Sequence, residues 1–246
     1  MKFIFDVDGT LTPSRQEMDK EFSKFFFDFC TENKVYLVTG SDKKKTVEQV
    51  GNVIYGLAKR AYNCSGSDVY ESNENVRRSD WKLPYSAKTF LLEKLEESDF
   101  PLRTGLHIEE RPGMVNFSVV GRNATIGERK LYSKYDTRHK ERNLIAELFN
   151  KEFEHLRATV GGETGLDIAP IGSDKSQILV DFDKDDSILF FGDRCDPAGN
   201  DFPIAEALRQ NFKRSKIYHV NDWKETFRIL SDSRLTSNLQ DSILQV

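Results

Sequence analysis

The 246-residue sequence is poor in the residues that staple small secreted folds or build metal fingers. Its three cysteines, Cys30, Cys64 and Cys195, lie far apart. An odd count without paired spacing argues against a disulfide framework and suits reduced thiols in a cytoplasmic protein. The four histidines, His107, His139, His155 and His219, follow no zinc-ligand spacing. No apolar run is long enough to span a membrane. The N-terminal apolar stretch is short and broken by Asp6 and Asp8, unlike a signal peptide. There is no cationic surplus either: the formal net charge is −4. Nucleic-acid and membrane partners are therefore not expected, and Lys43-Lys44-Lys45 reads as a solvated helix face.

What is present is enough chain for one large domain or two small ones, opened by Lys2-Phe3-Ile4-Phe5-Asp6-Val7-Asp8-Gly9-Thr10-Leu11-Thr12. The short apolar run reads as a buried strand that Gly9 and Thr10 break. Asp6 and Asp8 then sit at the strand's C-terminal tip, where ligand sites of open α/β sheets lie. Adjacent carboxylates call for a hard cation such as Mg²⁺. One aspartate can attack phosphorus to give an aspartyl-phosphate, and the other can handle the proton of the attacking or leaving oxygen.

The spacing predicts a helix over 17–32, with Phe25-Phe26-Phe27 as core, a strand over 34–38 and a helix over 43–50 capped by Asp42. This β-α-β-α start implies a parallel sheet with flanking helices. After about residue 80 the rhythm changes. Helices are predicted over 82–97 and 138–154, and strands over 107–110, 114–120, 156–160 and 166–169, the last two joined at Gly161-Gly162. Strands return over 187–191 and 217–220. The middle segment thus reads as an α+β module inserted into an α/β core. The tail over 235–246 is weakly patterned, a frayed end or a short helix.

Three further features suit phosphoryl chemistry. Thr39 and Ser41 end the second strand, where a hydroxyl or N–H can bond a transferring phosphoryl group. Lys175, in Gly172-Ser173-Asp174-Lys175, can neutralise aspartates and phosphate as a point charge. The loop Gly192-Asp193-Arg194-Cys195-Asp196-Pro197-Ala198-Gly199-Asn200-Asp201 places Asp193 to complete a Mg²⁺ shell with Asp6. Asp201 serves the metal indirectly, through water or by orienting a ligand. In the middle segment, Arg111, Arg122 and Arg129 can clamp a phosphate bidentately.

The Asp6–Asp8 motif resembles the haloacid dehalogenase-like (HAD) phosphotransferases. The order of motifs from Asp6 to about Ile204 is similar to the eukaryotic-type phosphomannomutases of that superfamily. It runs through Ser14-Arg15-Gln16, Gly40-Ser41-Asp42, Glu48-Gln49-Val50-Gly51, Glu110-Arg111-Pro112-Gly113-Met114-Val115-Asn116, Gly121-Arg122, Glu128-Arg129, Gly161-Gly162, Asp167, Asp174-Lys175 and Phe190-Phe191-Gly192-Asp193. The resemblance implies an α/β fold: a HAD-like Rossmannoid parallel-sheet core (1–80 and 177–246) and a mobile inserted α+β cap of antiparallel sheet plus helices (81–176). It implies Mg²⁺ on Asp6, the Asp8 backbone carbonyl and Asp193, Asp6 as the phosphorylated nucleophile and Asp8 as acid/base. Arg15 would contact substrate from the core; Arg111, Arg122, Arg129 and Asp167 would hold the distal phosphate and sugar hydroxyls from the cap. A hexose-1,6-bisphosphate activator, hexose-phosphate substrates and a homodimer through the cap are also implied.

Departures from the family pattern bear on which reaction follows. Gly165 stands where the family has a phosphate-binding serine, with Thr164 beside it; a glycine N–H replaces that hydroxyl only in part. Ser173 stands for a tryptophan, Ser65-Gly66 for Asn-Gly, and Pro112 for an asparagine. The leading expectation is a phosphohexomutase interconverting mannose 6-phosphate and mannose 1-phosphate for GDP-mannose synthesis. The alternative is a Mg²⁺-dependent sugar-phosphate phosphatase with the same cap. A non-catalytic sugar-phosphate sensor is a third reading, against which the retention of Asp6, Asp8, Lys175 and Asp193 argues.

Overall fold

The computed structural model describes residues 1–197 and 199–232; the predicted tail over 235–246 lies outside them. In chain order, β1 (Lys2–Asp6) leads to α1 (Lys20–Glu32), β2 (Lys34–Val38), α2 (Lys43–Val50), α3 (Asn52–Leu57), β3 (Arg60–Asn63), β4 (Asp68–Glu71) and β5 (Glu74–Arg78). Next come α4 (Tyr85–Glu97), β6 (Ile108–Arg111), β7 (Met114–Phe117), α5 (Ile126–His139), α6 (Glu141–Glu152), β8 (Leu156–Gly161) and β9 (Gly165–Pro170). A 3₁₀ turn over Lys175–Asp181 precedes β10 (Ile188–Gly192), α7 (Phe202–Asn211), β11 (Ser215–His219) and α8 (Trp223–Ser231). The chain forms two units, one of Met1–Arg78 and the described residues from Gly172 on, the other of Ser79–Ile171. Residues 172–176, grouped with the cap on sequence grounds, belong to the first unit, where Lys175 is bonded to Asp6 and Asp201.

In the first unit the sheet order is β11-β10-β1-β2-β3-β4-β5. The strands from β11 to β3 pair in parallel, and β4 and β5 add antiparallel. Strand β1 is buried along Phe3–Asp6 rather than on alternate residues, as a strand covered on both faces must be. On one face α1 packs Phe26 edge-on to Phe5 at 5.2 Å and Phe29 to Phe3 at 4.9 Å. The Asp19 carboxylate accepts the N–H groups of Glu21 and Phe22, so the helix starts at Lys20 rather than at 17. Of the expected phenylalanine core, Phe26 is buried and Phe25 packs against the core, but Phe27 is exposed, 100° further round the helix. The other face is covered by Ile178, Ile204, Ala205 and Leu208, packed on Ile4 and Phe190. The chain leaves β1 for β2 on one side and returns through β10 on the other, so the C-terminal ends of β1 and β10 form a switch point.

The second unit has a four-stranded antiparallel sheet in the order β6-β7-β9-β8. Phe117, Leu156, Ala158, Leu166 and Ile168 pack against Leu91, Tyr132, Ile145 and Phe149 of the helices. The intervening residues Glu109, Arg111, Asn116, Thr159, Gly165 and Asp167 fall on the opposite face by strand alternation. The single helix expected over 138–154 is two helices, α5 and α6, meeting at Lys140 in the left-handed conformation (φ 55°). Most of α5 went unread because it buries only Tyr132 and Asp136, too little for an apolar period. The strand expected over 114–120 ends at Phe117; beyond it the chain turns at Gly121 (φ 92°), where a Cβ would meet the Thr104 carbonyl oxygen.

Candidate active site

The switch point gathers acidic side chains from three segments. Asp6 ends β1, Asp193 follows β10, and Asp201 precedes α7; one oxygen of each lies within 4.8 Å of the others. Lys175 is fully buried among them, its Nζ 2.5 Å from Asp6 Oδ1 and 2.6 Å from Asp201 Oδ1. The backbone makes room for this cluster. A Cβ on Gly9, already in the left-handed region (φ 89°), would come within 2.4 Å of Asp193 Oδ2.

Three carboxylates, Asp6 and Asp201 buried and Asp193 half-buried, against one ammonium leave an excess of two negative charges, unfavourable unless a cation compensates it. Burial, with the Asp201 charge next, pushes the Asp6 carboxyl well above its usual range despite Lys175. Burial likewise raises Asp193, again with Asp201 contributing. Desolvation works against the Lys175 charge, but Asp201 and Asp6 outweigh it, so the ammonium persists. The residues present fit a hard divalent cation: every donor is an oxygen, the charge excess matches, and Asp193 Oδ1 is buried with no hydrogen-bond partner among the described residues. Asp201 offers less, because Lys175 takes its Oδ1 and the Arg194 N–H its Oδ2.

Asp8 is positioned differently. It is half-buried, and its carboxylate, outside the clustered three, accepts the Arg15 N–H at 2.9 Å, Gln49 Nε2 at 3.0 Å and Ser41 Oγ at 3.3 Å. The chain turns sharply after it: the N–H groups of Leu11 and Thr12 both donate to the Val7 carbonyl. Thr10 Oγ1 donates to Asp6 Oδ2 at 3.3 Å. Arg15 has a left-handed backbone (φ 59°) and is exposed. Thr39 Oγ1 accepts the Ser41 N–H and so shapes the end of β2. Sequence reasoning singled out neither Thr10 nor Gln49, though both lie inside quoted motifs; the Thr10 bond is set by the turn after β1, whereas those of Gln49 depend on the packing of α2 beside the Asp8 loop.

In the second unit the three arginines are not equivalent. Glu109 Oε2 receives both Arg111 Nη2 at 2.8 Å and Arg122 Nε at 2.7 Å. Arg111 Nε is buried without a partner among the described residues. Burial alone would raise the Glu109 carboxyl, but the two guanidiniums outweigh it and hold it below the usual range. Arg129 stands apart from this pair and reaches Glu163 at 3.5 Å. Asp167 accepts Asn116 Nδ2 at 2.6 Å, and Gly165 backs onto the Asn116 side chain. Glu109 and Asn116 were not singled out as site residues; an acidic partner between arginines becomes visible only when β6 and the turn at Gly121 are folded together.

The sequence profile of the eukaryotic phosphomannomutase family matches residues 22–233. A phosphomannomutase of Saccharomyces cerevisiae is 34% identical over 211 residues, covering 82% of this chain and 83% of that protein. One from Drosophila melanogaster is 32% identical over 242 residues, with 93% of each covered. Among solved structures, a haloacid dehalogenase-like hydrolase from Bacteroides thetaiotaomicron superposes with a TM-score of 0.57 at 14% identity, covering 92% of this chain and 98% of that one; at that identity the likeness is one of fold.

Proposed function

The chain belongs to the eukaryotic phosphomannomutase family and is an enzyme of that family, and on that premise we propose that it interconverts mannose 6-phosphate and mannose 1-phosphate through a phosphorylated Asp6, supplying mannose 1-phosphate for GDP-mannose. The observation that carries this reading is the buried Asp6–Lys175–Asp201 constellation with Asp193 beside it. A nucleophilic carboxylate needs its charge held in place and its water removed, and here the nucleophile is 2% exposed with an ammonium on one oxygen.

Asp6, Asp193 and the Asp8 carbonyl would hold Mg²⁺, with Asp201 steadying Lys175, and the cation would supply electrostatic stabilisation of phosphoryl oxygens. The remaining roles fall to the chain itself. Lys175 on Oδ1 and Thr10 on Oδ2 hold the Asp6 carboxylate, one oxygen of which bonds to phosphorus. The C–O oxygen of the bisphosphate activator leaves as its P–O bond breaks, and Asp8 gives it a proton. In the return step Asp8 takes the proton of the sugar hydroxyl as that oxygen attacks the phosphorus on Asp6, and the P–O bond to Asp6 breaks to return its carboxylate. Asp8 is held for both steps by Arg15 N–H, Gln49 and Ser41. Thr39 and Ser41 shape the phosphoryl end of the site, and Arg15 contacts substrate. Arg111, Arg122, Arg129 and Asp167 bind the phosphate that does not react and the sugar hydroxyls, with Gly165 contributing backbone.

Phosphorus NMR of the purified protein with Mg²⁺, mannose 1-phosphate and trace glucose 1,6-bisphosphate tests the proposal. Accumulation of mannose 6-phosphate, abolished in Asp6→Asn, is expected. Release of inorganic phosphate instead would make the protein a sugar-phosphate phosphatase.

A further inference from the structure

Asn116 and Asp167 are cross-strand partners of β7 and β9, on the sheet face opposite the helices of the second unit. Asn116 is 5% exposed, its Nδ2 donates to Asp167 Oδ1 at 2.6 Å, and its Oδ1 is buried without a partner among the described residues. Two glycines make this arrangement possible. They are themselves cross-strand partners, Gly161 of β8 and Gly165 of β9. A Cβ on Gly165 would stand 2.6 Å from Asn116 Nδ2 and 2.9 Å from its Oδ1, and a Cβ on Gly161 would stand 2.2 Å from Asp167 Oδ2. Each bare backbone therefore gives space to one member of the pair. The turn bearing the glycines is itself held: Arg142, bonded through N and Nε to the buried Asp136 carboxylate, donates Nη1 to the carbonyls of Gly162 and Gly165.

A carboxylate free to rotate must be immobilised when ligand binds, whereas one already fixed does not incur that entropy. We infer that Asn116 is the positioning residue for Asp167, and that Gly165 is the gap that admits it, so that this pair fixes the carboxylate against which the hydroxyls of a hexose phosphate are discriminated. The inference rests on the proposed contact of Asp167 with the sugar.

The test is steady-state kinetics of the full chain in both mannose 1-phosphate and glucose 1-phosphate, for Asp167→Asn, Asn116→Ala, Gly165→Ala and the double variant Asn116→Ala/Gly165→Ala. Asn116→Ala is expected to raise KM for mannose 1-phosphate about tenfold, leave kcat within about threefold, and narrow the preference between the two sugars. Gly165→Ala is expected to do the same by displacing the amide. The double variant is expected to be no worse than either single one, because the added methyl then has nothing to displace. A merely structural role would lower stability without that KM split or that non-additivity. If Asp167→Asn raises KM while Asn116→Ala leaves it unchanged, or if the two single effects multiply in the double variant, the positioning role is overturned. If Asp167→Asn leaves KM and sugar preference unchanged, the sugar contact of Asp167 fails, and the inference with it. Should Asn116→Ala not fold, Asn116→Ser is measured in its place against the same outcomes.

Discussion

The two units solve opposite electrostatic problems. In the first, three aspartates gather round one lysine and leave a negative excess at 0–2% exposure for Asp6, Lys175 and Asp201. In the second, Arg111 and Arg122 gather round Glu109 and leave a positive excess on side chains 21–32% exposed. The first site suits a cation and a reaction from which water is excluded; the second suits a hydrated anion that exchanges. Buried charge is expensive and therefore kept for chemistry, whereas half-exposed charge is cheap enough to serve recognition. The difference predicts that damage to the first unit costs turnover or stability and that damage to the second costs affinity.

The largest break in that comparison comes from Asp6→Asn, which keeps the shape and removes the nucleophile. Turnover is expected to fall by at least about a thousandfold with the melting temperature little lowered, measured by phosphorus NMR and calorimetry. Lys175→Met comes next. It leaves Asp6 and Asp201 facing each other without the ammonium, and loss of one partner of a buried pair costs about 3–5 kcal/mol, read by urea unfolding. Mg²⁺ is expected to recover part of that loss, since a ligand that binds only the folded state stabilises it.

Arg111→Ala and Arg122→Ala sharpen the other side. Each removes a charge-assisted contact worth about 1.5–3 kcal/mol, so KM for mannose 1-phosphate should rise roughly ten- to hundredfold with kcat less affected. An equal loss of kcat in either variant would contradict the division of labour. The smallest effect is in pH. Glu109 is held below the ordinary glutamate value of 4.5 by two arginines that outweigh its burial. A carboxyl lowered in the folded state contributes stability that is present above its unfolded-state value and is lost as pH falls through the folded one. The melting temperature should therefore fall more steeply below pH 4.5 in the wild type than in Glu109→Gln. The effect is modest because the pair is partly solvated.

Much of the first unit was legible because its signals are local. The buried run Phe3–Asp6 followed by Gly9 marks a strand tip, and Asp42 capping α2 is read directly from the sequence. The β4–β5 hairpin was not legible: β5 is exposed throughout, so neither alternation nor an apolar run marks it. In the second unit the strands alternate and were found, while α5, held by a capping box from Thr125 to Glu128 and little apolar burial, was mostly missed. Gly165 was legible as a departure but not as space for Asn116, because that depends on the register of β7 against β9.

The sequence by itself determined the kind of chemistry available. It placed Asp6 and Asp8 at the end of a buried strand, put Asp193 after another, and ordered the arginine-bearing segments between them. Only the tertiary structure decided which polar groups meet: Lys175 with Asp6 across 169 residues, Asn116 with Asp167 across 51, and Glu109 between two arginines. Local propensity acts over a turn or two of chain, whereas hydrogen-bond distance between remote side chains is set by strand order, register and the space that glycines leave open.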